Sequence, residues 1–176
     1  MAIIASGDYR LRALPQRDAP KYVIPIEVHG PQSFVLLAVW AKVNQECRYI
    51  ECVVRAVDIY EDLFRSSTTV LIGDLNSNAI WDHKRAMDLS HTGLVKRMDD
   101  WGLESCYHQF HSEQHGKETR PTFYLQWNEK KPYHIDYCFL PKAWMPSVQA
   151  VEIGTYDAWR TYSDHRPLIV DLALEA

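Results

Sequence analysis

The chain has 176 residues, of which 47% are hydrophobic and 12% aromatic, so it is long enough to bury one sizeable core. Its formal net charge of −4 at pH 7 excludes a broad basic surface as the main means of gripping nucleic acid. The longest apolar run, residues 33–41, is far shorter than the roughly 20 residues of a membrane-spanning helix. Since the N-terminus also lacks a basic region followed by an apolar stretch, we predict one compact domain over residues 1–176 in the cytoplasm.

The cysteines carry a separate expectation about the redox environment. Cys47, Cys52, Cys106 and Cys138 form no CxxC pair, and a chain of this size needs no disulfide to fold. We therefore predict four free thiols.

The first half of the chain contains a predicted hairpin, a helix and a strand. Residues 22–28 and 33–41 are apolar runs separated by turn residues, which predicts an antiparallel hairpin. Apolar residues recur at three- and four-residue spacing between Gln45 and Phe64, which predicts an amphipathic helix lying on a sheet. Residues 68–72 then form a short β-branched run without polar alternation, which indicates a strand buried on both faces.

The second half of the chain contains one predicted helix followed by four predicted strands. A helix is predicted over about residues 91–101, with Ser90 or Thr92 as N-cap and Gly102 as the stop. Four further strands are predicted, at residues 121–127, 133–140, 148–153 and 167–172. The order β-β-α-β-α-β-β-β-β predicts an α/β (α+β) fold with helices packed over a mixed or mostly antiparallel sheet.

Three short polar clusters lie at the ends of apolar strands: residues 73–78 (GDLNSN), 134–137 (HIDY) and 163–167 (SDHRP). Taken alone, Asp74 is best explained as a turn residue. Asp136 lies inside an apolar run, so its carboxylate needs a partner. His165 is the obvious partner, because a carboxylate that accepts from one imidazole nitrogen leaves the other nitrogen facing a substrate.

Together the three clusters resemble the C-terminal signatures of the endonuclease/exonuclease/phosphatase (DNase I-like) superfamily. The chain looks most similar to bacterial members of unassigned substrate, through residues 73–78, 120–124 and 134–141. The resemblance implies a four-layer α/β sandwich with two packed mixed or antiparallel sheets. It also implies a phosphodiesterase, nuclease or phosphatase that depends on Mg²⁺, with Mn²⁺ as the alternative.

The resemblance implies a role for each matching residue. Asp74 would orient or deprotonate the attacking water, and Asn76 would bond that water or a phosphate oxygen. Asp164 would be a metal ligand, while His165, held by Asp136, would contact the scissile phosphate. The expected substrate contacts are Trp40, Asn78, Thr122 and Tyr124, although a core role is as plausible for Trp40. Trp81 is a further residue for the cleft, with packing as the favoured alternative.

The chain departs from the family pattern at its beginning. Residues 1–6 and 9–11 are similar to the third family strand, and the family's earlier Asn strand and Gln-Glu strand have no counterpart. Glu27 is the one candidate that might replace the missing Glu ligand. We therefore expect truncation, a gap filled by a second chain, or a degenerate site, and we expect a homo-oligomer to cover the uncovered apolar face.

Two questions stay open at this point. The substrate is a nucleic acid, a phospholipid headgroup or a small phosphorylated metabolite, and the alternative to an enzyme is a noncatalytic remnant that binds a phosphate ligand or a protein. The other histidine-rich stretch, with His108, His111 and His115, lacks zinc spacing, so we predict a solvated loop that binds no metal.

Overall fold

A computed structural model describes residues 1–174 of the protein, and these residues form ten strands and five α-helices. The strands are β1 (Arg10–Ala13), β2 (Val23–His29), β3 (Phe34–Trp40), β4 (Thr69–Asp74), β5 (Leu103–Ser105), β6 (Phe123–Tyr124), β7 (Pro132–Tyr133), β8 (Asp136–Pro141), β9 (Val148–Ile153) and β10 (Leu168–Leu172). The helices are α1 (Ile50–Ile59), α2 (Glu61–Ser66), α3 (His91–Asp100), α4 (Cys106–His111) and α5 (Tyr156–Trp159). Across this part of the chain, no helix combines the length and the apolar character that crossing a bilayer requires.

Six strands form the central sheet, in the order β1-β2-β3-β4-β8-β5. β3 and β4 are parallel because α1 and α2 carry the chain back between them, and the other neighbouring pairs in this sheet are antiparallel. The predicted hairpin of residues 22–41 is formed by β2 and β3. The mixed α/β class expected from the sequence is therefore confirmed.

Each face of the central sheet packs against a different layer. On one face, Leu37 and Phe139 of the sheet pack with Val53 of α1 and Leu94 of α3, and all four side chains are fully buried. On the other face, Val70 and Leu140 belong to a cluster with Trp144 and with side chains of the β9–β10 pair. Replacing a fully buried Leu or Phe by Ala typically costs about 2–5 kcal/mol, so these two clusters hold the layers together.

The second face is only partly covered. Within residues 1–174, the second sheet consists of β9 and β10 alone. Beside it runs an apolar groove of about 490 Å³, lined by the segment that begins at Ile3 and by Phe34, Leu36, Ile72 and Leu172. The groove is thus an exposed apolar surface of the kind expected when few strands cover a sheet face.

The single helix predicted over residues 45–64 is wrong in two places. The chain forms α1 and α2, separated at Tyr60, and residues before Ile50 are not helical. The start at Ile50 coincides with a disulfide between Cys47 and Cys52, which closes a short loop around Tyr49 with its φ of 44°. The expectation of four free thiols is therefore also wrong for this pair, whereas Cys106 and Cys138 are free and buried.

Other elements match the sequence more closely. α3 begins at the predicted cap, where the Ser90 hydroxyl accepts a hydrogen bond from Gly93 N, and it ends before Gly102, which has a φ of 82°. β9 has the predicted bounds, and β10 begins one residue later than predicted. The strand predicted over residues 121–127 is reduced to β6, because Gln126 and Trp127 adopt positive φ angles.

Candidate active site

The two predicted carboxylates meet at one end of the central sheet. Asp74 is the last residue of β4, Asp136 is the first residue of β8, and the antiparallel register places them directly opposite each other. Trp40, the last residue of β3, pairs with Asp74 on the other side. Both acidic residues therefore lie at the same end of the central sheet, where β4 ends and β8 begins.

A tight turn after β4 fixes the Asp74 carboxylate. Asn76 donates to it twice, from its backbone N to Oδ1 at 2.7 Å and from Nδ2 to Oδ2 at 2.8 Å. Asn76 also donates from Nδ2 to Ala41 O at 3.0 Å and adopts a φ of 44°, a conformation that Asn tolerates well. The preceding Gly73 has a φ of 139°, and a Cβ there would lie 2.0 Å from Val39 O, so only glycine fits.

The predicted ion pair between Asp136 and His165 is present. His165 Nδ1 lies 3.0 Å from Asp136 Oδ2, so the Nδ1–H donates to the carboxylate and Nε2 remains free to face a substrate. An isolated bridge to Phe123 and a hydrogen bond from His165 N to Ser163 Oγ at 3.0 Å hold the backbone. The buried Arg166 clamps the same turn by donating to Ser163 O and His165 O at 2.8 Å.

This end of the sheet carries more negative than positive charge. Burial, together with the neighbouring charge of Asp136, raises the pKa of Asp74 to about 7. Burial lowers the pKa of His165, but the hydrogen bond and charge of Asp136 outweigh it, so the net shift is upward. Oxygen and nitrogen atoms of Asp74, Asp136 and His165 lie within 4.8 Å of one another. A cluster of oxygen donors with excess negative charge fits a hard divalent cation such as Mg²⁺.

Asp164 belongs to the same edge. Its carbonyl oxygen accepts from Tyr124 N at 2.9 Å, which ties its turn to β6. Its charge raises the pKa of both Asp74 and His165, so its carboxylate lies within electrostatic reach of both. The position is compatible with the metal-ligand role that the sequence suggested.

Two of the four predicted substrate contacts have their polar groups bonded inside the protein. The buried Asn78 donates to Glu118, His134 O and Tyr137 OH, and its Oδ1 accepts from Ile80 N, so its amide is occupied inside the protein. The fully buried Thr122 accepts from the backbone N of Ile135 and Asp136.

The remaining two predicted contacts differ in what covers their rings. Tyr124 is buried beneath the Arg166 guanidinium, 4.6 Å from its ring centroid. Trp40 is half-buried, with Lys42 Nζ 3.3 Å from its ring centroid. Burial therefore removes Asn78, Thr122 and Tyr124 from the surface that a substrate would touch and leaves Trp40 at its border.

A pocket of about 340 Å³ adjoins Asn76. Trp81 and Tyr133 form part of its wall, with ring centroids 5.3 Å apart, and Phe123 contributes a further ring. Lys84 and Arg85 bring positive charge to the same pocket. The sequence suggested Asn76 and Trp81, whereas Lys84, Arg85, Phe123 and Tyr133 lie outside the three polar clusters and were missed.

The second histidine group is not the solvated loop that the sequence predicted. His108 lies on α4 and is buried, and its Nε2 contacts Glu118 Oε1 at 3.0 Å. His115 Nδ1 contacts His91 Nε2 at 3.0 Å, and the His108 and His115 rings stack. His111 lies apart from these contacts and bonds Val151 O.

Comparison with solved structures settles the fold. The endonuclease domain of TRAS1, a telomere-specific non-LTR retrotransposon, aligns over 94% of this chain and 67% of its own, with a TM-score of 0.62 and 14% identity. A 3'-5' exonuclease, NExo, from Neisseria meningitidis aligns over 95% of this chain and 71% of its own, with a TM-score of 0.59 and 14% identity. The chain has a DNase I-like fold.

Further comparisons agree with the DNase I-like assignment. An AP endonuclease from Archaeoglobus fulgidus aligns over 85% of this chain and 65% of its own, with a TM-score of 0.55 and 17% identity. No family model and no curated protein sequence matches the chain. At these identities the likeness concerns the DNase I-like fold, so the activity must be argued from the site.

Proposed function

We propose that this chain is a divalent-metal-dependent phosphoester hydrolase that acts on nucleic acid. The observation that carries the proposal is that Asp74, Asp136 and His165, from three separate segments, converge at one end of the central sheet. A single Asp or His at a strand end has ordinary explanations, but a buried carboxylate beside an Asp–His pair is the arrangement that water activation at a phosphate needs.

Asp74 is the proposed general base for the attacking water. Burial and the charge of Asp136 raise its pKa, which makes its carboxylate a stronger base than that of an ordinary Asp. The two hydrogen bonds from Asn76 fix the carboxylate, so the water that it accepts a proton from is held in one direction. Asn76 is thus a positioning residue for Asp74.

His165 is the proposed hydrogen-bond donor to the scissile phosphate. Asp136 fixes the ring through Nδ1 and favours the imidazolium, so the free Nε2 carries positive charge and a donor toward the phosphate oxygens. Donors of this kind stabilise the negative charge that grows during in-line attack, and each typically contributes about 2.7–4 kcal/mol to lowering the barrier.

The metal would be held by carboxylate oxygens. Asp164 is the proposed ligand, with Asp74 and Asp136 as the neighbouring oxygen donors, and Mg²⁺ or Mn²⁺ suits such a set. A bound divalent ion supplies positive charge that polarises phosphate oxygens and lowers the pKa of water.

The pocket beside Asn76 favours nucleic acid over the other substrate classes. Its rings offer a surface on which a base or sugar can pack, and Lys84 offers charge for a backbone phosphate. Arg85 lies in the same pocket but is paired with Glu51. The similar solved structures include an endonuclease domain and two structures of NExo, one of them described as a 3' phosphatase bound to a product DNA hairpin. A phospholipid headgroup and a small phosphorylated metabolite are the alternatives.

The experiment compares hydrolysis of a DNA oligonucleotide, a generic phosphodiester and a generic phosphomonoester, each with Mg²⁺, Mn²⁺ or chelator. His165→Ala should lower kcat about 10²–10³-fold. The matched control is His29→Ala, which makes the same change at a half-exposed histidine whose ring bonds Glu27 on the hairpin. Activity that survives in chelator or in His165→Ala would refute the proposal.

One observation favours a noncatalytic protein as the second candidate function. Glu27, the candidate for the missing Glu ligand, is engaged with Arg12 and His29. Folded but inactive protein that still binds the oligonucleotide would select this alternative. The single domain over residues 1–176, the cytoplasmic location and the bacterial origin stay predictions.

A further inference from the structure

Behind the active site, a second cluster of ionisable side chains lies buried in the core. His108 comes from α4, Glu118 from the loop that follows it, and His91 from the first position of α3. Their side chains are almost inaccessible, with relative exposures of 7% for His108 and 4% for Glu118. Polar groups buried this deeply require an explanation, because each costs free energy unless it is fully bonded.

The donor atoms are close enough to share one ion. Nitrogen and carboxylate atoms of His108, His115 and Glu118 lie within 4.8 Å of one another, and His108 Nε2 lies 3.0 Å from Glu118 Oε1. Ligands about 2.0–2.2 Å from a tetrahedral Zn²⁺ are roughly 3.3 Å apart. His91 Nε2, 3.0 Å from His115 Nδ1, is the nearest further nitrogen. The His108 and His115 rings stack with centroids 3.5 Å apart, so one ring must rotate before both nitrogens can face one ion.

The protonation states suit a metal. Burial lowers the pKa of His91 to about 4, and burial with the charge of His108 lowers that of His115 to about 2, so both rings are neutral at pH 7. Burial raises the pKa of Glu118, but hydrogen bonds from His108 and Asn78 outweigh it and bring the value to about 2. Neutral imidazoles and an ionised carboxylate are the forms that bind zinc.

The surroundings orient the donors and leave them an opening. Ser105 Oγ lies 2.7 Å from His108 Nδ1, which fixes the ring with Nε2 toward Glu118, as the outer partners of metal-bound histidines do. A cavity of about 210 Å³ reaches His108 and His115 from the side of Leu103. Among residues 1–174, two buried imidazole nitrogens, His91 Nδ1 and His134 Nε2, have no hydrogen-bond partner. Both atoms belong to rings that pack against the cluster and not to its three proposed donors.

We propose that His108, His115 and Glu118 bind a divalent transition-metal ion, with Zn²⁺ as the best match and His91 as the nearest additional donor. Imidazole nitrogens distinguish this site from the carboxylate edge at Asp74, which suits Mg²⁺. Asn78 links Glu118 to His134 O and Tyr137 OH, so the ion would brace the turn that follows Asp74 from behind. The metal is therefore structural and independent of the phosphoester chemistry.

The test strips the full chain with chelator, adds one equivalent of Zn²⁺, removes excess and measures zinc per chain and Tm. We expect one zinc per chain and, at zinc 100-fold above Kd, a Tm rise of roughly 5–10 °C. Both should be lost in His115→Ala and Glu118→Gln. They should persist in the matched control His111→Ala, whose ring bonds Val151 O, and in Asp136→Asn, which disrupts the carboxylate edge.

A gain of signal covers the case in which a variant unfolds. In His115→Cys loaded with Co²⁺, a thiolate-to-cobalt charge-transfer band should appear that wild type lacks, since a thiolate replaces an imidazole in the same shell. Absence of zinc in wild type, zinc retained equally by His115→Ala and Glu118→Gln, or a folded His115→Cys without the band would overturn the proposal.

Discussion

Asp74 destabilises the fold when it is ionised, and this effect can be measured. Its folded pKa of about 7 exceeds the value of about 3.9 for an unperturbed Asp, so between these pH values the folded state holds a proton that the unfolded state has lost. Stability from this group is complete below about pH 4 and disappears as the pH rises through 7. A difference of roughly 3 units corresponds to at most about 4 kcal/mol.

Asp74→Asn removes the charge and keeps the shape. The new amide has one oxygen, so one of the two donors of Asn76 loses its acceptor, which costs about 1–3 kcal/mol. In chelator at pH 8 we expect the variant to be more stable than wild type by about 1–3 kcal/mol, and at pH 5 to be equal or less stable. Hydrolysis should be abolished at both pH values.

Urea unfolding at pH 5 and pH 8 with chelator measures the two differences in unfolding free energy. The control is Asp171→Asn, the same change at an exposed position on β10, which should shift neither value. If Asp74→Asn changes stability equally at both pH values, Asp74 does not titrate in this range and the argument for its role as a base fails.

Two further predictions concern the rest of the molecule. Reductant should lower the free energy of unfolding of wild type by about 2 kcal/mol, because reduction of the Cys47–Cys52 disulfide opens a six-residue loop. The Cys47→Ser/Cys52→Ser variant should show no change, and an equal effect on both proteins would contradict the prediction. The apolar groove should drive self-association that light scattering detects and that Leu36→Lys, on its lining, abolishes. Monomeric wild type at about 100 µM would refute the second prediction.

The sequence predicted elements whose signal is local. The hairpin of β2 and β3 and the cap of α3 follow from apolar runs and from Ser90, which act over a few residues. α4 was missed, since HQFHSEQH shows no apolar period and its burial depends on Glu118, ten residues away from His108. The disulfide was missed because Cys47 and Cys52 have no recognised spacing.

For the candidate site too, the sequence predicted what local motifs indicate and missed what depends on long-range contacts. The positions of Asp74, Asp136 and His165 were predicted from three motifs at strand ends, and the structure brings these residues together. The pocket was mostly missed, because Lys84 and Tyr133 meet only after the chain has folded. Asn78 was predicted as a substrate contact, whereas its amide donates to Tyr137 inside the protein, because a motif gives the residue type without the direction in which the side chain points.

The two halves of the site rest on supports of different rigidity. Asp74 and Asp136 belong to neighbouring strands in the middle of the central sheet. His165 instead lies in a turn beside the exposed Tyr162, where one isolated bridge and side-chain contacts to Asp136 and Arg166 hold it. Substitutions and length changes in residues 155–163 can therefore accumulate without disturbing the sheet. In the proposed hydrolase, such changes would alter the surroundings of His165 and leave the two carboxylates on the sheet in place.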